Sequence, residues 1–289
     1  MTKLGWDALA KWRDSRMGEA GDLWHRALID PALLAMLGSV RGQRILEVGC
    51  GNGYLTRRFR RRGAVRAVGV DTSLASIRFA RQREAARPSG AEFVHGNAAR
   101  LPQFDSETFD RVVANMSLMD IRDAAATIRE ASRLLKPSGR FVFSINHPCF
   151  EIDENSSWLV EHGPHRETIS RKVEGYRNER PVRAAWRVSE TEWGYTTSYH
   201  RTLTTYAQHL YDGGLAISRL AEPVPRPELV RKSHQGRYIA AIPLHLVVEA
   251  VPWNKRALPR GRGPRRRRRK GTEHAEGAAD KATTAGGSG

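Results

Sequence analysis

The stretch Ile45-Leu46-Glu47-Val48-Gly49-Cys50-Gly51-Asn52-Gly53 carries an apolar run into an acid and then into three glycines spaced two apart, with a helical pattern from Tyr54. Glycines suit a tight turn whose main chain a ligand approaches closely, because a Cβ there would clash. The amides that open the following helix favour a polar or anionic group. The dinucleotide fingerprint G-x-G-x-x-G would need a third glycine at position 54, which is Tyr54. Glu47 would repel a pyrophosphate and suits a ligand bearing a cationic amine or sulfonium. Asp71 closes the second apolar run, where a carboxylate could accept both hydroxyls of a ribose. It could equally cap a helix, a frequent role of aspartate.

Further along, Asn146-His147-Pro148-Cys149-Phe150 follows the fifth apolar run. His147 is a candidate general base, since histidine titrates near neutral pH, or a hydrogen-bonded shaper of the turn before proline. His200 is a second candidate base. Cys149 reads as a small buried thiol more readily than as a nucleophile, because Ala114-Asn115-Met116-Ser117 lacks the Pro-Cys or acidic motif of thiol chemistry. The same stretch lacks the Pro-Pro-aromatic tetrad of amino-group methylation on bases or glutamine. His162, His165 and His200 have no metal-ligand spacing, so no metal is expected.

These residues need a scaffold that presents strand ends on one side. Short apolar runs at Arg44–Val48, Ala64–Val70, Ala91–His95, Phe109–Ala114 and Gly139–Ile145 alternate with segments long enough for crossover helices. The last of these helices, Ala124–Leu135, stops at Lys136-Pro137-Ser138-Gly139. Such alternation argues for a parallel sheet with helices on both faces. The domain organisation follows: a helical cap over 1–40 containing Trp6, Trp12, Trp24 and His25, a core over 41–146, an aromatic insertion or lid over 147–200, and a return to the sheet over 201–254. In that last part a helix is expected at Thr202–Tyr211 and strands at Leu215–Leu220 and Ile239–Val251, with a Pro-rich loop (Pro223, Pro225, Pro227) between the strands. Residues 255–289 read as a disordered basic tail.

Glu47-Val-Gly-Cys-Gly-Asn-Gly, Asp71, Gly96-Asn97-Ala98 before Leu101-Pro102, Phe109-Asp110 and Leu134-Leu135-Lys136-Pro137-Ser138-Gly139 resemble, in order, the motifs of class I S-adenosylmethionine-dependent methyltransferases. The resemblance is tight over about residues 40–146 and looser to the final strand. It implies a Rossmann-like α/β fold: a seven-stranded, mostly parallel sheet with an antiparallel last strand, helices on both faces, an N-terminal helical cap and an insertion after the fifth strand. It also implies S-adenosylmethionine as cofactor and S-adenosylhomocysteine as product. Glu47 and the loop Gly49, Cys50, Gly51, Asn52 and Gly53 would lie along the methionine moiety, with Asn115 near it. Asp71 would hold the ribose, Thr72 and Ser73 would flank the adenosine, and Asn97 and Ala98 would border the adenine. Asparagine stands at 97 where aspartate is common; its carbonyl can still accept from the adenine amine, without charge assistance.

Composition limits what else the chain can be. Of its 289 residues 40% are hydrophobic, enough for a sizeable core. No apolar run approaches the roughly 18 residues of a spanning helix, the N-terminus lacks the apolar region of a signal peptide, and two cysteines fit a reducing cytosol. A cytoplasmic location without membrane contact is expected. The net charge of +17 suggests nucleic acid until it is located: ten basic residues and no acid fall between Lys255 and Lys270. The expected activity is therefore methyl transfer to an oxygen or nitrogen of a small molecule. Methylation of tRNA or rRNA through the basic tail and a nicotinamide-dependent oxidoreductase remain as alternatives. The oligomeric state is not legible.

Overall fold

The computed structural model describes residues 3–233 and 235–253; the basic run expected to form a tail lies outside them. In chain order the elements are β1 (Lys3–Leu4), α1 (Gly5–Met17), a π-helical turn (His25–Ile29), α2 (Asp30–Leu37), β2 (Arg44–Val48), α3 (Tyr54–Arg61), β3 (Arg66–Asp71), α4 (Leu74–Ala86), β4 (Glu92–His95), β5 (Phe109–Asn115), α5 (Ala124–Leu134) and β6 (Leu135–Asn146). There follow β7 (Ser156–His162), β8 (Glu167–Val173), β9 (Arg180–Arg187), β10 (Trp193–His200), α6 (Leu203–Asp212), β11 (Leu215–Ala221), α7 (Pro227–Lys232), α8 (Gly236–Ala241) and β12 (His245–Pro252).

Seven strands form one sheet in the order β11-β12-β6-β5-β2-β3-β4. All run parallel except β12, which pairs antiparallel with both neighbours. The central strands are buried on both faces, which is why Ile45, Leu46, Val68, Val70, Val112 and Val113 form near-continuous apolar runs. Side-chain caps start the crossover helices: Ser73 Oγ accepts from Ser76 N at 3.0 Å, and Asp123 Oδ1 from Ala126 N at 2.8 Å.

Three sequence expectations are corrected. The strand expected from Gly139 opens earlier, directly after the helix: Leu135 pairs with Phe109 as β6 opens, and a register shift between Phe109 and Arg111 absorbs the irregularity. Ile239–Val251 is not one strand. Tyr238 and Ile239 are buried on the helix α8, and Pro243, which has no N–H for a ladder, separates it from β12. Pro227 opens α7 rather than lying in a loop, a first-turn position that suits its missing donor.

The insertion, in which no period was legible, contains two antiparallel pairings, β7 with β8 and β9 with β10. The N-terminal β1 adds parallel to β10, joining the cap to the insertion. The cap also holds a π turn, in which Asp30 N donates to His25 O. Pro31 explains it: lacking an N–H, and with a ring that crowds the carbonyl four residues earlier, it widens the turn ahead. That carbonyl, on Ala27, accepts instead from Arg226 N at 2.8 Å.

Candidate functional site

The ends of β2, β3, β4 and β5 open into a cavity of about 950 Å³, mouth included, roofed by Trp6, Arg13 and Met17 of α1. At its floor the glycine loop turns back under Asp71. Asp71 Oδ2 accepts the Gly51 N–H at 2.8 Å and Oδ1 accepts the Ser73 N–H at 2.8 Å. One carboxylate thus fixes both the loop after β2 and the start of α4, and burial raises its pKa against those two hydrogen bonds. Gly49 and Gly51 both lie at positive φ, for different reasons. A Cβ on Gly49 would stand 2.4 Å from Ser117 Cβ, whereas one on Gly51 would meet nothing within 4 Å and would project into open space at the cavity wall.

Glu47 is 2% exposed and borders the cavity, with Thr56 Oγ1 donating to its Oε2. Burial pushes its carboxyl up to about 8, against the pull of Thr56. A neutral acid at rest becomes a carboxylate when a cation arrives beside it. Behind it lies a buried polar network. Asp30 Oδ1 accepts from Tyr54 Oη at 2.9 Å and from Asn115 Nδ2 at 3.1 Å, and Arg58 donates to Oδ2 at 3.0 Å. Asn115 Oδ1 accepts from Ser144 Oγ at 2.7 Å, so the end of β5 is held from two sides.

Most of the residues anticipated for the cofactor meet at this cavity: Glu47, Gly49, Cys50, Gly51, Asn52, Asp71, Thr72, Asn97, Ala98 and Asn115 all line it. Gly53 and Ser73 do not. Gly53 starts α3 from a left-handed backbone with its α-carbon against the Phe93 ring, and Ser73 spends its hydroxyl on the α4 cap and on Asp7. Asn52 borders the cavity but commits its side chain elsewhere, with Nδ2 donating to Asp14 Oδ1 and Gly18 O, both at 3.0 Å, which docks α1 on the loop. Asn97 Oδ1, anticipated for the adenine amine, accepts from Ala99 N at 2.9 Å in a local turn.

Neither expected base stands at the cavity. His147 is held between Glu222 at 3.1 Å and the Cys149 N–H at 3.2 Å, the turn-shaping alternative. His200 Nε2 meets the Tyr176 carbonyl at 2.7 Å beside a small separate pocket. Their partners hold both rings: Glu222 and the Cys149 N–H fix the first, and the Tyr176 carbonyl the second.

A second chamber of about 970 Å³, mouth included, adjoins the first, sharing Trp6, Arg13, His25, Met116 and Asp120 as walls. Ala184, Trp186 and Ser198 of the insertion close it, and Trp186 packs on the cap with its ring 5.5 Å from that of Trp6. His25 stands at the junction, 5% exposed, its Nδ1 2.8 Å from Asp22 Oδ1. Arg13 donates to Asp22 Oδ2 at 3.2 Å. Burial raises the Asp22 pKa, but the His25 hydrogen bond and charge and the charge of Arg13 outweigh it and hold the carboxyl well below the ordinary range. Asp22 is thus an ionised acceptor, so Nδ1 of His25 donates and Nε2 is the basic nitrogen. Sequence reading placed His25 only in a cap. The spacing of Asp22 and His25, with Asp22 also capping the turn through the His25 N–H at 3.0 Å, is the signal that would have found the pair.

Residues 46–143 match the methyltransferase domain family. Over these residues the chain carries a class I S-adenosylmethionine-dependent methyltransferase domain. It is similar to the crystal structure of an S-adenosylmethionine-dependent methyltransferase from Mesorhizobium loti, 28% identical with a TM-score of 0.64, over 76% of this chain and 95% of that one. It is 33% identical to a probable phthiotriol/phenolphthiotriol dimycocerosates methyltransferase 2 of Mycobacterium ulcerans, over 53% of this chain and 58% of that protein. It is 38% identical to a fatty-acid O-methyltransferase of Mycolicibacterium smegmatis, over 40% of this chain and 41% of that protein. The chain spans about half the length of the curated relatives it matches. The cofactor that such a domain implies, S-adenosylmethionine, fits the residues present: an open cradle at Gly51, a carboxylate at the end of β3, and a buried acid at Glu47.

Proposed function

We propose that the chain methylates an oxygen or nitrogen nucleophile of a small molecule, with S-adenosylmethionine in the first chamber and the acceptor in the second. The adjoining of the two chambers, with His25 at their shared wall, carries this reading. When bound, S-adenosylmethionine supplies a methyl group on a positively charged sulfur, already activated for displacement. Asp71 binds the ribose, and Glu47 binds the cationic methionine end. Gly49, Cys50, Gly51 and Asn52 line that same end, Asn115 with Asp30 behind it keeps the β5 end in place, and Thr72, Asn97 and Ala98 border the adenosine. Trp6 and Met17 exclude water from above. Alignment of this kind is worth roughly 7–11 kcal/mol of barrier. The proton of a hydroxyl or amine acceptor goes to Nε2 of His25, with Asp22 orienting the ring and stabilising the imidazolium.

Calorimetry with S-adenosylhomocysteine, followed by transfer of labelled methyl from the cofactor to a panel of small alcohols, phenols and amines, tests the reading. Saturable product binding and label on at least one acceptor are expected. Absence of any product binding, or unchanged binding in Asp71→Ala, would overturn it.

A further inference from the structure

We propose that Met116 sets the width of the passage between the two chambers, and with it the bulk of the group that can be carried across. This rests on the methyltransferase reading and adds to it a residue that determines specificity at the point of transfer.

Position is the first argument. Met116 directly follows β5 and borders both chambers. Transfer from a cofactor in the first chamber to an acceptor in the second puts the travelling carbon at the walls they share. There the carbon–sulfur bond breaks with its electron pair left on sulfur, the acceptor's lone pair bonds the carbon, and the acceptor's proton goes to His25. Among the shared walls Arg13 is held by Asp22, His25 by the same acid, and Asp120 by Ser198, while Trp6 packs on Trp186. Met116 is the unbranched apolar side chain among them. It packs, partly buried, against the apolar cluster that includes Ile29 and Leu244, both of which line the second chamber.

The backbone supplies a second argument, independent of the cavity outline. Met116 has φ 51°, in the left-handed region that suits glycine and is unfavourable for a residue with a Cβ. Among the described residues only Glu107 and Asp153 share that property without being glycine. The conformation is held from three sides. Met116 N donates to Ser144 O at 3.1 Å and to Ser144 Oγ at 2.9 Å. Asn115 before it is tied to Asp30, Tyr54 and Ser144. Ser117 after it donates from Oγ to Val48 O at 2.7 Å, and Gly49 packs on its Cβ. A strained residue pinned through both neighbours is one whose side-chain direction the surroundings dictate, and such strain collects at functional sites.

The side chain itself supplies the third argument. Methionine is flexible and uncharged, so it fills an irregular gap and discriminates by volume alone. A sulfonium methyl is small enough to share the passage with it. An allyl or benzyl group needs the space that Cγ, Sδ and Cε occupy, and alanine at this position returns that space without changing any charge.

The test uses the full chain and calorimetric titration of S-adenosylhomocysteine, S-adenosylmethionine and the two sulfonium analogues that carry allyl or benzyl in place of the methyl. The parent should bind the benzyl compound at least about tenfold more weakly than S-adenosylmethionine, the usual scale of an overpacked contact. In Met116→Ala and Met116→Gly that ratio should shrink to about threefold or less, and Met116→Leu, of similar bulk, should restore it. Because each variant is compared with itself, a general loss of stability leaves the ratio where it was. Equal binding of the methyl and benzyl compounds by the parent, or a parental ratio in both Met116→Ala and Met116→Gly, overturns the inference and leaves the methyltransferase reading in place. Absence of S-adenosylhomocysteine binding by the parent fells that reading instead. Should Met116→Ala not fold, Met116→Gly, which is at ease at this φ, decides alone.

Discussion

Asp71 Oδ2 receives the backbone N–H of Gly51 at 2.8 Å, so the acid at the end of β3 is also the clasp of the glycine turn one strand away. A group with both duties cannot be removed for the loss of a ligand contact alone. Asp71→Ala leaves the Gly51 and Ser73 amides without their acceptor and the ribose without its carboxylate. A loss of about 2–4 kcal/mol in S-adenosylhomocysteine affinity is expected from charge-assisted hydrogen bonds of this kind. Calorimetry reads it, and a change under about threefold would contradict the assignment.

Gly49→Ala and Gly51→Ala separate folding from binding. At Gly49 the new methyl would stand 2.4 Å from Ser117 Cβ in a left-handed backbone, so thermal melting should fall steeply. At Gly51 the methyl enters open space, and only the backbone penalty of about 1–2 kcal/mol applies to stability. Product affinity should fall more than stability does in that variant. Equal loss of stability in the two would contradict the cradle.

Glu47 gives a pH signature. Its carboxyl moves from an ordinary 4.5 in the unfolded chain to about 8 in the fold. The folded state then binds the extra proton, so the stability contributed by this group is complete below about pH 4.5 and is lost as pH rises toward 8. A cationic ligand beside Glu47 favours the ionised form, so binding near pH 7 should release a proton. Calorimetry in buffers of differing ionisation enthalpy would detect that release, and Glu47→Gln should lower it by up to about one proton. Equal release from parent and variant would sink the role given to Glu47.

Asp30 is 1% exposed and satisfies Tyr54, Asn115 and Arg58 together. Asp30→Ala strands two buried donors, Tyr54 and Asn115, and leaves the partly exposed Arg58 without its acceptor, at a cost of about 2–4 kcal/mol for unsatisfied buried polar groups. Denaturant unfolding should show it. A change below about 1 kcal/mol would mean that the network closes without the carboxylate.

The sequence by itself determined the cofactor half of this protein. The strand from Arg44 to Val48, the glycine turn and Asp71 are local: an apolar run, the left-handed tolerance of glycine, and an acid one crossover later specify a strand end and what it can hold. Only the tertiary structure decided the second chamber. Asp22 and His25 from the cap, Asp120 after β5, Asp153 and Trp186 from the insertion, and His245 from the last strand come together across more than two hundred residues. No periodicity or motif encodes such a meeting. His147 and His200 carried the right chemistry in the sequence, yet Glu222 and the Tyr176 carbonyl engage them elsewhere. A base is defined by the cavity it faces, and that is a property of packing between distant segments.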